Sequence, residues 1–328
     1  MEHSLYWENN YLPTCFVEMA NEWMILKSYK IKKSTLNKYR YLFNNYIYPQ
    51  FHTVRIEDIN TLTIDRNMYL IYEKYKDILS YSTLKSIIYL IKAVIMYAIK
   101  KQYISRIYIN FEMAEHTIQR EINVLNEEQE KKLVAEVMAK KTANHLGILL
   151  SLYTGIRLGE VCSLKVSDID FVFKAIYVTK TVQRLSDFST NTTNLVITNP
   201  KSRHSIRTIP LPDFLYDILI SYGIKNFPEN SYILNNKEQP YEPRTLQYAF
   251  QRIMKRCGCF GFHFHCLRHT FATKCIRSGF DIKTLSEILG HSNVSFTMSR
   301  YVHSDMDIKR KQMNILNENW EFANIFIS

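Results

Sequence analysis

"HCLRHTFATKCIRSGFDIKTLSEILGHSNVSFTMSRYVH", residues 265–303, reads as three short helices over 266–278, 282–289 and 294–302. On the first, His265 and Arg268 are i,i+3 neighbours and His269 lies at i,i+4 from His265, so the three crowd one side. A histidine pair at that spacing can hold a metal. Here, however, the Glu of a His-Glu-x-x-His site is missing, and an Arg between the two repels a cation. An anion suits the group better. His291 follows Gly290, Tyr301 stands ten residues further on, and His303 lies two beyond that. The chain has 23 tyrosines, so Tyr301 takes its meaning from what the other segments bring to it.

Two upstream segments bring charge of the right sign. In "TGIRLGE", residues 154–160, Gly155 permits a turn and Arg157 lies three residues before Glu160, on one face of a helix that starts here. A carboxylate neighbour can hold such an arginine while its guanidinium faces an anion. Taken alone, the pair reads equally well as a surface ion pair contributing about 0–1 kcal/mol. In "NPKSRHSIRTIP", residues 199–210, Lys201, Arg203, His204 and Arg207 crowd a hairpin. That suits contact with a DNA backbone or groove, and a solvated turn is the plain alternative.

Composition agrees with a polyanionic partner. The 328 residues carry 42 Lys plus Arg against 31 Asp plus Glu, a net charge of +11, and the pI is near 9.2. The excess is spread along the chain, with 16 basic and 11 acidic residues in 1–120, so both halves can touch the same long anion. The start, "MEHSLYWENNYLPT", is acidic and polar where a secretory signal is basic and then apolar. No uninterrupted apolar run reaches the roughly 18 residues that a bilayer requires. A soluble cytoplasmic protein with no membrane partner is expected.

Six cysteines in a chain of this length make a poor disulfide framework. Cys257, Cys259, His263, His265, Cys266 and His269 invite a zinc reading, but structural zinc sites come as paired Cys and His knuckles, and this crowding fits them badly. Reduced cysteines in or near a core, with no metal and no cofactor, is the reading adopted.

Helical spacing recurs through the front of the chain, over 13–30, over a segment capped by Ser34 and stopped by Pro49, over 56–78, and over 81–102 opening on Ser82 or Thr83. Its many tyrosines are expected to pack between helices with hydroxyls at the rim. Lys32, Lys33, Lys38, Arg40 and Lys85 are the candidate phosphate contacts there. Residues 105–122 lack clean periodicity and read as a linker between a helical domain, 1–104, and a second domain, 123–328. The second opens on a helix capped by Asn126. It continues with an apolar helix at 145–154, strands at 171–180, a strand pair within 193–211, and helices at 212–222 and 243–257. A mostly α protein with a small antiparallel sheet follows.

At this point "TGIRLGE", "PKSRHSIRTIPL", "HCLRHTFAT", "LGH" and "TMSRYVH", in that order, resemble the tyrosine recombinases, or phage integrases, and among them the integrases of conjugative and phage-like mobile elements. The resemblance covers nearly the whole chain, firmly over 122–310. It implies a helical core DNA-binding domain followed by a mixed, mainly helical catalytic domain. It implies that Arg157 and Arg268 clamp a phosphate, that Tyr301 is the nucleophile, and that Lys201, His265 and His291 complete the site with Glu160 supporting Arg157. His269 and His303 are expected to be structural or peripheral. Implied partners are double-stranded DNA, three further copies of the chain on two synapsed sites, and accessory DNA-bending or directionality proteins, in the nucleoid of a bacterial host. The apolar end, with Trp320, Phe322, Ile325, Phe326 and Ile327, is expected to dock on a neighbouring copy or on its own domain.

The chemistry stands beside the resemblance. Two guanidiniums can stabilise the charge that a phosphodiester gains during attack. A phenol with a pKa of about 10 needs help to ionise. His265 is suited to accept its proton, Lys201 to protonate the leaving 5′-oxygen, and His291 to hydrogen-bond the phosphoryl oxygen. A type IB topoisomerase uses a similar set, and a DNA-binding protein of the same fold without catalysis also fits the charge. The latter is expected to lack Tyr301 or an arginine, and both are present.

Overall fold

A computed structural model describes residues 12–114, 123–187, 192–199, 203–291 and 293–301. The chain divides into two units, Met1–Gln119 and Arg120–Ser328.

In the first unit, α1 (Phe16–Ser28) buries Phe16, Met19, Ala20, Trp23 and Met24, the stripe that 3.6-residue periodicity puts on one face. Next comes α2 (Lys33–Leu42), which Pro49 was expected to end after a cap by Ser34. The chain instead passes through a π-turn, Phe43–Ile47, into α3 (Tyr48–Phe51), and the helix begins at Lys33 without a side-chain cap. Pro49 lies in the first turn of α3, where a missing N–H breaks no helical hydrogen bond.

Asn60 caps α4 (Thr61–Tyr75) and Ser80 caps α5 (Tyr81–Lys100), the latter through a hydrogen bond that Ser80 Oγ accepts from the Thr83 N–H. Composition and length would let α5 cross a bilayer, but Leu84, Ile87, Ile88, Leu90, Ile91, Val94, Ile95 and Ala98 are buried inside the unit. Tyrosine rings do pack between helices: Tyr46 meets Tyr75 edge-on, and the Tyr97 and Tyr103 hydroxyls both donate to Glu22 Oε1. Part of the expected linker belongs to this unit. Ile107, Ile109, Phe111 and Met113 lie against its core, and the backbone N–H groups of Asn110 and Phe111 donate to the Asp65 carboxylate.

The second unit opens on α6 (Glu127–Met138), where Asn126 and Gln129 form a reciprocal capping box. Nearly every side of α7 (Ala143–Thr154) is buried, and it ends at Gly155 in the left-handed region, φ +65°. A short α8 (Leu158–Val161) follows. Strands β1 (Ile169–Asp170), β2 (Ala175–Val178) and β5 (Arg207–Pro210) form an antiparallel sheet in the order β1-β2-β5, with Val178 opposite Arg207 and Ile176 opposite Ile209. A separate ribbon pairs β3 (Thr181–Asp187) with β4 (Thr192–Thr198).

The strand pair expected within 193–211 is therefore two strands of different sheets. Its first member pairs backwards with β3, whose sequence "TVQRLSD" has only Val182 and Leu185 as apolar residues and so carries little strand signal. Helices α9 (Asp213–Ser221), α10 (Pro243–Arg256), α11 (Cys266–Arg277), α12 (Ile282–Leu289) and α13 (Val294–Tyr301) complete the described chain. The core of this unit gathers Leu133, Ile148, Leu150, Val161, Ile176, Leu215, Leu246, Phe250 and Leu267 around α7. Cys162, Cys259, Cys266 and Cys275 are buried free thiols, and burial pushes the Cys266 thiol up to about 12.

Candidate active site

Two glycine-capped helix ends bring the site together. Gly155 ends α7 and Gly290 ends α12, both at φ +65°. A side chain at Gly155 would also strike the packing, since a Cβ there falls 2.6 Å from Phe271 Cδ1 and 2.8 Å from Leu289 Cδ2. The carbonyls at these two turns are the anchors of the two arginines read from sequence. Arg268 Nη1 donates to Gly155 O at 2.7 Å and Nη2 to Leu289 O at 2.7 Å, whereas Arg157 Nη2 donates to Gly290 O at 3.2 Å.

Arg157 precedes α8 with its backbone N–H on Glu160 Oε2 (3.0 Å) and its Nη1 on Glu160 Oε1 (2.8 Å). The i,i+3 pair read from "TGIRLGE" is thus formed, and Glu160 is buried. Gly159 lets this turn sit against β3, because a Cβ there would lie 2.5 Å from Val182 O.

Glu160 has a second partner that the sequence did not reveal. Arg207, expected to face DNA, turns its side chain inward to 5% exposure. It donates Nη2 to Glu160 Oε2 (2.9 Å), Nη1 to Glu160 Oε1 (3.2 Å) and Ser205 O, and Nε to Ile288 O (2.5 Å). Arg207 starts β5, so the sheet and the end of α12 are tied to one carboxylate. Burial by itself raises the Glu160 carboxyl, but Arg207 and then Arg157 outweigh it and hold the group at about 2.

Arg268 is only 2% exposed. Burial, then the neighbouring Arg157 and Arg207, push its pKa down to about 9, which leaves it charged at neutral pH. Its Nη2 also donates to His291 Nε2 at 2.8 Å. A guanidinium only donates, so His291 Nε2 accepts and the ring proton sits on Nδ1, which donates to Thr297 Oγ1 at 2.8 Å. Burial, followed by Arg268, Arg157, Arg207 and His265, lowers His291 to about 3, so it is neutral at physiological pH.

Tyr301 ends α13, 5% exposed, among Ala272, Cys275, Leu285 and Leu289. Its ring lies parallel to that of His291, centroids 6.4 Å apart. Its hydroxyl meets His269 Nδ1 at 2.7 Å, both residues buried. His265 contacts the His269 ring edge-on at 4.6 Å.

The fold thus gathers Arg157, Glu160, His265, Arg268, His291 and Tyr301, and adds Arg207, expected to face DNA, and His269, expected to be structural or peripheral. The signal for His269 was its i,i+4 spacing from His265 on α11, but which helix covers that face is decided only by the chain's return through α13. Three guanidiniums, one carboxylate and a neutral imidazole make a cluster of net positive charge, chemistry that suits an anion.

Lys201 and His303 lie outside the described residues, as do Trp320, Phe322, Ile325, Phe326 and Ile327. Arg203 enters a 3₁₀ turn, Arg203–Ser205, in which His204 is exposed. In the first unit Lys32, Lys33, Lys38 and Lys85 are exposed and Arg40 is half-buried. Lys38 Nζ donates to Ser86 Oγ, which ties the basic side of α2 to α5. A further cationic face lies on α10: Arg244, Tyr248, Arg252 and Lys255 are exposed, while Leu246, Phe250, Ile253 and Met254 are buried behind them.

Residues 123–307 match the phage integrase family, and residues 15–70 match the phage integrase N-terminal SAM-like domain. A tyrosine recombinase XerC-like protein of Caldanaerobacter subterraneus subsp. tengcongensis is 30% identical over 311 residues, 88% of this chain and 78% of that protein. The transposase from transposon Tn916 of Enterococcus faecalis is 28% identical over 212 residues, 60% of this chain and 51% of that one. The chain thus spans about half the length of that transposon relative. Among solved structures, a Tn1549 transposon integrase in complex with a circular intermediate DNA superposes with a TM-score of 0.75 at 21% identity, over 92% of this chain and 99% of that one. A lambda integrase tetramer bound to a Holliday junction gives 0.64 at 19% identity, over 90% and 80%. At these identities the structural likeness establishes the fold: a mostly helical chain with a small antiparallel sheet.

Proposed function

The chain belongs to the phage integrase family, the tyrosine recombinases, and we propose that it integrates or excises a mobile DNA element by cutting and rejoining DNA through Tyr301. The observation that carries this reading is the convergence of Arg157, Arg268 and His291 beside the Tyr301 ring. In the reaction, Tyr301 Oη attacks a backbone phosphorus, the bond to the 5′-oxygen breaks, and a 3′-phosphotyrosyl linkage holds the strand. Arg157 and Arg268 neutralise the charge that grows on the non-bridging oxygens. Lys201 protonates the leaving 5′-oxygen. The broken bond is conserved in the ester, so a 5′-hydroxyl from another strand reverses the step without a nucleotide cofactor.

Glu160 and Arg207 hold Arg157 in place, and His291 holds Arg268 through its Nε2. Lys32, Lys33, Lys38, Arg40 and Lys85 in the first unit, and Arg203, His204 and the outer face of α10 in the second, take up the DNA backbone. The assembly is a tetramer on two synapsed duplexes in the cytoplasm of a bacterial host, aided by bending or directionality proteins. Solved relatives that are bound to DNA, one of them as a tetramer, support that stoichiometry.

The test is strand transfer. The protein is incubated in EDTA with nicked duplexes drawn from the DNA flanking its own gene, and SDS-resistant adducts and joined products are sought beside a Tyr301→Phe control. Adducts and joined strands with wild type alone support the reading. Tight binding at a site with neither product, even with accessory extract added, leaves a DNA-binding protein without catalysis.

A further inference from the structure

We propose that His269 is a base that takes the proton from Tyr301. The inference rests on the tyrosine-nucleophile reading above and adds a residue to it. The geometry is direct: His269 Nδ1 lies 2.7 Å from Tyr301 Oη, within hydrogen-bond reach for proton transfer, and both residues are buried. His265 touches the His269 ring at its edge, 4.6 Å between centroids. His291, parallel to the Tyr301 ring, has its Nε2 lone pair engaged by Arg268 and its Nδ1 proton on Thr297. It is also too weak a base, since burial and then three arginines lower it to about 3.

The local sequence explains the placement. His265, at the N-cap of α11, and Arg268 and His269 in its first turn lie on one side, so the helix aims Arg268 at the carbonyls of Gly155 and Leu289 and, one residue on, aims His269 at the end of α13. Among the described residues, the charged and titratable groups around His269 and Tyr301 are His265 and Arg268, Cys275 on α11, His291 after α12, and, beyond Arg268, Arg157, Glu160 and Arg207.

The Tyr301 hydroxyl proton moves to His269 Nδ1 as the bond from Oη to phosphorus forms and the bond from phosphorus to the 5′-oxygen breaks. The leaving oxygen takes a different proton, from the Lys201 ammonium. On rejoining, the His269 imidazolium returns its proton to Oη and the incoming 5′-hydroxyl gives its proton back to Lys201. One histidine thus serves the nucleophile in both directions and has no part in the leaving group.

That division supplies the test. Single-turnover adduct formation is measured on a nicked duplex recovered by trapping with wild type, made with either oxygen or sulfur at the bridging 5′ position. Wild type and Tyr301→Phe establish whether the underlying reading holds, independently of position 269. His269→Asn keeps an acceptor near the Nδ1 position but cannot take a proton. It is expected to bind the duplex within about twofold of wild type and to form adduct about 10²-fold or more slowly, and the deficit should persist with sulfur. Sulfur leaves without protonation, so Lys201→Ala should be rescued by it and His269→Asn should not. An Asn variant that keeps its rate within threefold, or that sulfur rescues, overturns the assignment.

A second measurement needs no change at 269. Wild type loses rate at acid pH as the base protonates, and with 3,5-difluorotyrosine at position 301 that limb should stay in place, because the imidazole and not the phenol is titrating. A limb that moves down with the more acidic phenol means that Tyr301 ionises without His269, and the proposal fails.

Discussion

The two units bury different kinds of residue. Every buried polar or charged side chain among the described residues lies in the second unit, from Glu130 to Thr297, and includes Glu160, Arg268 and His269. The buried residues of the first unit, Phe16 to Ala98, are all apolar. An apolar core of that kind gains from burial in proportion to area and tolerates small changes of shape. Buried charge behaves otherwise, because an arginine or carboxylate taken from water is held only as long as its partners stay. The second unit therefore gives up some stability in order to hold its cationic groups in place, and the first presents lysines on its surface.

The largest effect that sharpens this contrast is on reaction rate. Arg268→Lys removes the fork that spans Gly155 O and Leu289 O and the donor to His291, and adduct formation should fall by about 10²- to 10³-fold or more in single-turnover assays while DNA binding survives. Next come matched core changes measured by denaturant unfolding. Glu160→Ala leaves Arg207 buried without its carboxylate and should cost about 3–5 kcal/mol. Ile91→Val, in the apolar core of the first unit, should cost about 0.5–1.5 kcal/mol. Equal losses at the two positions would erase the distinction.

Acid separates the units as well. The folded His291 pKa of about 3 lies below its ordinary value of 6.5, so the unfolded chain binds the proton first and stability falls as pH drops from about 6.5 toward 3. Glu160, held at about 2 against 4.5, adds a contribution that is complete above about 4.5 and lost as pH falls toward 2. Hydrogen exchange at stepped pH should show the second unit loosening first, and simultaneous loss in both would contradict the assignment. The smallest change is at the surface. Lys38→Ala should leave stability within about 0.5 kcal/mol and reduce the salt dependence of DNA binding by about one unit of slope.

The same contrast explains what the sequence could tell. Periodicity placed α1, α4, α5 and the helices from α9 to α13, and Asn126 was legible as a cap because Glu127 and Glu128 follow it in the first turn. Pro49 misled because a stop signal and a first-turn proline look alike until the turn before it is seen. Strand β3 was missed because its partner β4, not its own pattern, makes it a strand. Within the site, Arg157, Glu160, Arg268, His291 and Tyr301 were readable from ordered motifs. Arg207 and His269 were not, because their roles come from contacts made across 47 and 32 residues. A basic residue in a hairpin and a second histidine beside an arginine have no local mark that says whether they face DNA, a carboxylate or a phenol.

The central claim is that Tyr301 becomes covalently joined to DNA. The most direct measurement is to trap the adduct on a nicked duplex, digest protein and DNA, and map the nucleotide-bearing peptide by mass spectrometry. The account predicts a nucleotide ester on Tyr301 and nowhere else. A modified residue other than Tyr301, or a bound and cleaved duplex whose protein carries no ester, contradicts it.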